Sequence, residues 1–462
     1  MNVALVLAPS YNPDKPPLSL AYLKSYNQRE GVNIKCFDLN IDLYSNVDAE
    51  NKKLWEGENM SCWLSEDKVE KIDFIDDALI EEWLRRILSF DPMIAGFTTY
   101  NTNILLTLKI AKRLRERNSK VFILFGGPEI FSYRYNFEMV HLRFIDAIIL
   151  GEGEEMLRKI IKSIHEKGFI APIEGVLVKI GDCFAGDGKP GLISNLDSIP
   201  LPDYDDFDIS KYKEPGQLPL IFSRGCVNRC AFCFETVFWQ KFRVRTVANI
   251  IKEIEHILMK YNRRIFNFSM NDSLINGDFR LLDEFCSTVI DRKMGIGWWG
   301  MARIDKRMNI RLLKKLVRAG CVSLAYGIES GSQKVLDLMQ KHYALQEIEH
   351  CIKDTFKAGI KIGISVIVGF PGEEEKDFME TCELVKRIAS YVSYVNISSL
   401  GIIPFTKISE ERYKLGIVEN DSLNWSILDK KNTLSIRVDR VNRLAEVAHK
   451  YVGKTYTFDQ KD

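Results

Sequence analysis

Short apolar runs alternate with amphipathic stretches along most of this 462-residue chain. Residues 3–7, 33–37, 93–98, 121–125 and 147–150 are mostly apolar and end at loop-forming residues. Residues 18–28 read as a helix, and in 103–117 Ile104, Leu105, Leu108, Ile110, Ala111 and Leu114 form a helical stripe. Short buried runs between helical stripes read as parallel strands. Residues 1–165 are therefore expected to form an α/β domain, doubly wound and Rossmann-like. Residues 42–87 are too long for an ordinary connection. They hold Trp55 and Trp63 and predict either a lid or a solvated helical face at the sheet edge.

The alternation resumes at 218–223, 265–269, 296–301, 322–326, 362–368 and 394–400, with helices at 247–261, 281–290 and 309–319. Ile250, Ile251, Ile254 and Ile257 share one face of the first of these helices. Six such units predict a partial (β/α)6 barrel of the TIM type over 218–405. Between the two domains, 166–217 reads as a linker: 175–182 is half of a small hairpin, and Pro200 and Pro202 impose an extended course. The tail, 406–462, carries a helix at 437–452 with Val438, Val441, Leu444, Val447 and Ala448 on one side. It is expected to close the open side of the barrel and, with Trp425, to contact substrate.

Composition narrows the function. Sixty-four basic residues against sixty-three acidic ones leave a net charge of +1, which argues against nucleic acid or an anionic membrane as partner. No apolar run approaches the roughly eighteen residues of a membrane span. The first residues read as a strand rather than a signal peptide. Ten cysteines without a framework spacing suit a reducing cytoplasm.

Chemistry is expected at the carboxyl ends of the strands, where such folds bind ligands. In the first domain those loops are 10–17, 98–103, 126–131 and 151–154. Their glycines allow close approach of a ligand, and equally serve as tight turns after strands. In the second domain the loops include Cys226, Cys230 and Cys233, spaced by four and three residues. Structural zinc wants four protein ligands, and electron-transfer clusters usually take four thiolates. Three thiolates on a 4Fe-4S cluster leave one iron open; a zinc knuckle or three core thiols is the other reading.

The pattern C-x3-C-x-aromatic-C, with Phe232 as the aromatic, resembles the cluster loop of radical S-adenosylmethionine (SAM) enzymes. The resemblance implies a 4Fe-4S cluster on Cys226, Cys230 and Cys233, with SAM chelated at the free iron and cleaved to a 5'-deoxyadenosyl radical. It places Asn271 and Asp272 near the SAM amino group, Glu329 on the ribose hydroxyls, Arg303 at the carboxylate and the backbone of Ile367 to Phe370 at the adenine, with Phe232 among the SAM contacts. Arg303 paired with Glu329 or Asp305, and Asp272 capping the next helix, are the structural alternatives.

The order Pro16-Pro17-Leu18, Gly96-Phe97-Thr98-x-Tyr100-Asn101, Gly126-Gly127-Pro128-Glu129 and Gly151-Glu152-Gly153-Glu154 looks like the cobalamin-binding domain that precedes the radical SAM domain in cobalamin-dependent members. It implies cobalamin contacts from Pro16, Leu18, Thr98, Tyr100, Asn101, Gly126, Gly127, Pro128, Gly151, Glu152 and Gly153. No D-x-H-x-x-G loop exists around His141 or His165, so cobalamin is expected without a histidine ligand to cobalt. Related enzymes often show Pro-Gly-Thr where this chain has Pro404-Phe405-Thr406, so Phe405 either shapes the pocket or packs in the core. No cysteine follows Cys382, so the tail holds no cysteine-ligated second cluster. The implied activity is methyl transfer to an unactivated carbon or phosphorus of a small-molecule, lipid or peptide substrate, with flavodoxin or ferredoxin as electron donor. The alternatives are ring formation, ring contraction or carbon-carbon coupling without methylation, and a non-catalytic metal- and ligand-binding protein.

Overall fold

The computed structural model describes residues 1–28, 31–132, 142–419 and 422–458. His141 lies outside them. The chain divides into two compact units, 1–215 and 216–462.

In the first unit, β1 (Asn2–Leu7), β2 (Asn33–Asp38), β3 (Ile94–Thr98), β4 (Phe122–Gly126) and β5 (Ala147–Ile149) are the expected strands. They pair in parallel in the order β2-β1-β3-β4-β5. Burial on both faces explains their near-continuous apolar runs: Val3, Ala4, Val6 and Leu7 are fully buried. The strand order reverses between β1 and β3, and at such a switch point the crevice for a ligand lies at the carboxyl ends of the strands.

Two expectations change here. The segment after 165 is no free linker: β6 (Val176–Ile180) and β7 (Cys183–Ala185) form a hairpin, and β6 joins β5 antiparallel. The stretch 42–87 is mostly helical and turns its tryptophans inward. Trp55, Trp63 and Trp83 are all buried, and Trp55 Nε1 donates to Asn40 Oδ1 at 2.7 Å. Asp76 caps the helix Asp77–Ser89 by accepting from Leu79 N at 2.8 Å.

In the second unit, β8 (Gln217–Leu220) leads to a ribbon of β9 (Ser223–Arg224) and β10 (Arg243–Val244). β11 (Asn267–Met270), β12 (Gly297–Ala302), β13 (Cys321–Glu329), β14 (Lys361–Val368) and β15 (Tyr394–Ser399) follow, each paired in parallel with its neighbour. This is the expected partial barrel with one addition. The tail is not purely helical: β16 (Ile417–Glu419) and β17 (Trp425–Ile427) form a hairpin, and β18 (Thr455–Phe458) adds a seventh parallel strand beside β15. Four residues after a helix are too few for a periodic pattern to be seen.

The tail helix runs Leu434–Tyr451 and buries Arg437, Arg440, Val441, Leu444 and Ala448. Its buried stripe is thus rotated from the all-aliphatic face expected, with two arginines at the leading positions. Among the described residues no helix is long and apolar enough to cross a membrane.

Candidate cofactor sites

The cysteine loop is shaped before any cysteine is reached. Gly225 has φ +89°, and a Cβ there would stand 2.6 Å from the Lys241 carbonyl, so only glycine lets the loop cross the ribbon. Asp272, predicted near the SAM amino group, is buried and accepts from Phe222 N at 3.0 Å and Ser223 N at 2.6 Å. Burial pushes its pKa up to about 6 against those bonds. It therefore positions the strand that delivers the loop, rather than capping the helix after it. Neighbouring Asn271 is exposed, its Oδ1 accepting from Ser269 Oγ.

Cys226, Cys230 and Cys233 are free and half-buried. Burial raises all three thiols, Cys233 to about 12. Thiols held neutral by desolvation need a metal to become ligands. A structural zinc takes four protein ligands, whereas three thiolates hold three corners of an iron-sulfur cube. The donor set fits the cluster.

Two charged residues stand by the loop. Arg303 donates to Asn228 Oδ1 at 2.8 Å and pairs with Asp305 at 2.7 Å, so one of its structural alternatives is realised. Its Nε is buried without an acceptor, and its side chain keeps 21% of its exposure. Part of the guanidinium fork thus remains for a carboxylate. Glu329 sits at φ +60° where β13 slips against β14, a conformation that costs a non-glycine residue about 1–3 kcal/mol. Gly327 makes room for its carboxylate, which meets Lys341 Nζ at 3.0 Å. Burial lowers the Lys341 pKa, but the adjacent Glu329 carboxylate more than offsets this and holds it raised. The Lys341 ammonium lies 5.9 Å from the Phe232 ring centre.

Phe232, Ile367 and Phe370 come together in the structure. Phe232 and Ile367 pack against a buried cluster of Ala231, Phe370, Leu400, Ile402, Ile408 and Trp425 among others. A third of that buried cluster, Ile408, Ile417 and Trp425, comes from the tail, which ties three carboxyl-end loops together. Ile408 N donates to Ala231 O at 3.1 Å in the cysteine loop. Asn432 Nδ2 donates to Gly369 O at 2.9 Å after β14, and Trp425 Nε1 to Leu400 O at 2.9 Å after β15. Arg437 stacks 3.9 Å over Trp425, and Arg440 pairs with buried Glu373 at 2.8 Å. Lys341, Asn432, Arg437 and Arg440 were absent from the sequence-based site. The arginines left a trace there, since 437, 440, 441, 444 and 448 follow helical spacing. Phe405 is half-buried at φ +67°.

In the first unit, Thr98 and Tyr100 meet at the crevice. The Tyr100 hydroxyl bonds to Ser19, Tyr11 and Thr98, and burial raises its pKa. Asn101 is exposed, and Gly126, Gly127 and Pro128 are half-buried. Pro16 and Leu18 are buried where the first helix begins.

Other predicted contacts are taken up by the chain itself. A Cβ on Gly127 would stand 2.5 Å from Thr99 O, and one on Gly151 2.7 Å from Pro190 Cβ. Gly153 faces Leu23. Glu152 is buried and accepts from Ile193 N. The hairpin's exit strand therefore covers Gly151 and Glu152, which are turn and packing residues. His165 is exposed near the end of the helix Gly153–Lys167. Among the described residues the crevice offers hydroxyls, an amide and half-buried backbone, which fit a corrin.

Comparison with known proteins agrees with both halves. The Radical SAM superfamily model matches residues 220–385 and the B12 binding domain model residues 63–161. An uncharacterised methyltransferase of Pyrococcus horikoshii is 27% identical, covering 89% of this chain and 83% of its own. The anaerobic magnesium-protoporphyrin IX monomethyl ester cyclase of Rubrivivax gelatinosus is 24% identical over 68% of this chain, which spans 58% of the cyclase. The solved structure of TsrM from Kitasatospora setae, a radical SAM methyltransferase with cobalamin and a 4Fe-4S cluster bound, shares the fold. Its TM-score is 0.70 at 17% identity, covering 91% of this chain and 80% of that one. The chain thus joins a B12 binding domain to a radical SAM domain in the fold that TsrM shares, a domain pair whose cofactors are a 4Fe-4S cluster, SAM and cobalamin.

Proposed function

We propose that the chain catalyses cobalamin-dependent methyl transfer to an unactivated carbon or phosphorus of a small-molecule, lipid or peptide substrate in the cytoplasm. The observation that carries this is a three-cysteine loop beside a strained Glu329, in one chain with a B12-binding domain that lacks the D-x-H-x-x-G sequence. Bound together, the cofactors supply a carbon radical from SAM and a transferable methyl group; the protein supplies position.

Cys226, Cys230 and Cys233 hold the cluster. Arg303 receives the SAM carboxylate on its uncommitted edge. Glu329 accepts from the ribose hydroxyls, for which a carboxylate's paired acceptors are apt. Phe232, Ile367 and Phe370 exclude water from the adenosyl end, and Asn271 contributes its amide. Asp272 acts by fixing the strand beneath the loop. In the first unit, Thr98, Tyr100, Asn101, Gly126 and Pro128 contact cobalamin.

Ring formation without methylation is the second reading, favoured by the cyclase relative. Product analysis separates them after anaerobic reconstitution with iron, sulfide and hydroxocobalamin. Methyl transfer releases S-adenosylhomocysteine together with 5'-deoxyadenosine. Release of 5'-deoxyadenosine alone, with cobalamin retained, would overturn it and leave the cofactors in place.

A further inference from the structure

Parity sets the inward face of the second unit's sheet. Along β14, Ile362, Ile364, Val366 and Val368 are fully buried, and along β15 so are Val395 and Ile397. They face the helices Leu345–Lys357 and Leu434–Tyr451. Side chains alternate across a strand, so Ser365 and Ile367 on β14, and Tyr394, Asn396 and Ser398 on β15, point the other way. All five are half-buried. The register turns this face into rows. Gly327 lies beside Ser365 and Ser365 beside Asn396, while Ile367 lies beside Ser398 and Gly363 beside Tyr394. Neighbours across a row stand about 4.8 Å apart.

Closed barrels fill such inward rows with bulky branched side chains. Here the middle row runs glycine, serine, asparagine, which leaves a hollow with polar walls. Among the described residues, Ser365, Asn396, Ser398 and the Tyr394 hydroxyl have no hydrogen-bond partner within the chain. The Tyr394 ring lies across Gly363, where a Cβ would overlap it. Burial raises the Tyr394 pKa, so its hydroxyl keeps its proton and can donate.

The hollow adjoins the cofactor residues. Ile367, across from Ser398, packs with Phe232 against the cluster that holds Ala231, and a Cβ on Gly327 would meet the Glu329 carboxylate. Charge stops at that rim, in the Glu329–Lys341 and Arg303–Asp305 pairs. From there down to Lys361 at the start of β14, this face of β12 to β15 carries no charged residue. An ionised group inside would find no counter-ion, and a hydrocarbon would leave four polar groups unpaired. Hydroxyls and a carboxamide both donate and accept, which suits alcohols and amides.

We propose that this hollow binds the reacting substrate, and that the substrate is an uncharged small molecule bearing hydroxyl or amide groups. Ser365, Asn396, Ser398 and Tyr394 read those groups. The inference rests on the function proposed above and narrows its substrate class.

The test is SAM consumption by the reconstituted full chain with hydroxocobalamin and dithionite, using SAM deuterated in its methyl group. The probes are neutral polar, anionic, cationic and lipid fractions of a metabolite extract from the source organism. The neutral polar fraction should raise consumption well above that with SAM alone. Asn396→Leu should raise the amount of this fraction needed for half-maximal consumption about tenfold, and Ser398→Ala about threefold. In both variants SAM should still change the cluster's magnetic resonance signal. Strongest stimulation by the lipid fraction or a charged one, stimulation by none, or a half-maximal amount unmoved in both variants would overturn the proposal. Stimulation by the neutral fraction without transfer of the deuterated methyl group would uphold it and overturn methyl transfer instead.

Discussion

The two units handle the carboxyl ends of their strands in opposite ways. In the first, the conspicuous glycines are consumed by the chain: Gly127 by the Thr99 backbone, Gly151 by Pro190, Gly153 by Leu23. In the second, the special residues are held against their own preference or left partly uncommitted. Glu329 sits in the left-handed region, and Arg303 keeps an Nε without an acceptor. Glycine-rich loops after strands thus report turn geometry first and ligand second. Strain and unspent polar capacity point more directly to a ligand.

The largest expected effect breaks the second half of that comparison. Glu329→Ala leaves the Lys341 ammonium buried without its partner, since Lys341 and Glu329 side chains keep 8% and 10% of their exposure. Removing one member of a buried pair costs about 3–5 kcal/mol, so denaturant unfolding should show a loss of that size along with loss of SAM binding. The double variant with Lys341→Met should recover most of the stability and none of the binding. Recovery of both would show that Glu329 is only a structural partner.

A smaller effect sharpens the first half. Gly127→Ala places a side chain at φ +104° against the Thr99 backbone and should cost about 2–3 kcal/mol without any cobalamin present. Its neighbour Gly126 has 3.7 Å to Ile149 Cβ, so Gly126→Ala should change stability by less than about 0.5 kcal/mol. Equal effects at the two positions, measured by urea midpoint, would contradict the packing account of these loops.

The smallest effect is a pH dependence in the first unit. Asp38 ends β2 and caps the next helix through Ile41 N at 2.9 Å, while the Tyr212 hydroxyl donates to it at 2.7 Å. Burial nevertheless raises its pKa to about 6. A carboxyl whose folded pKa lies above its unfolded one stabilises the fold fully below the unfolded value, and this is lost as pH rises through the folded value. Between about pH 5 and 7 the loss is about 1 kcal/mol. Asp38→Asn should remove that slope, read as unfolding free energy against pH.

Strand positions in both units were legible because buried parallel strands write uninterrupted apolar runs, and Gln217 to Ser399 follows the expected six-strand order. The cysteine loop was legible because its spacing is local. Lys341 was not, since nothing about a lysine twelve residues beyond Glu329 says that the chain folds it back onto that carboxylate. The hairpin at 176–185 and the strand at 455–458 escaped full recognition for a related reason: short edge strands are defined by their partners. Arg437 and Arg440 were overlooked because arginine on a buried stripe contradicts the apolar rule that reveals the stripe. Their partners, Trp425 and Glu373, lie on other elements.

The central claim is that three thiolates leave one corner of an iron-sulfur cube open to SAM. The direct measurement is low-temperature electron paramagnetic resonance of oxygen-protected, dithionite-reduced protein, with and without SAM. The account predicts the signal of a one-electron-reduced 4Fe-4S cluster that changes shape when SAM is added and is missing in Cys230→Ala. A wild-type signal indifferent to SAM, or one that survives Cys230→Ala unaltered, would contradict it.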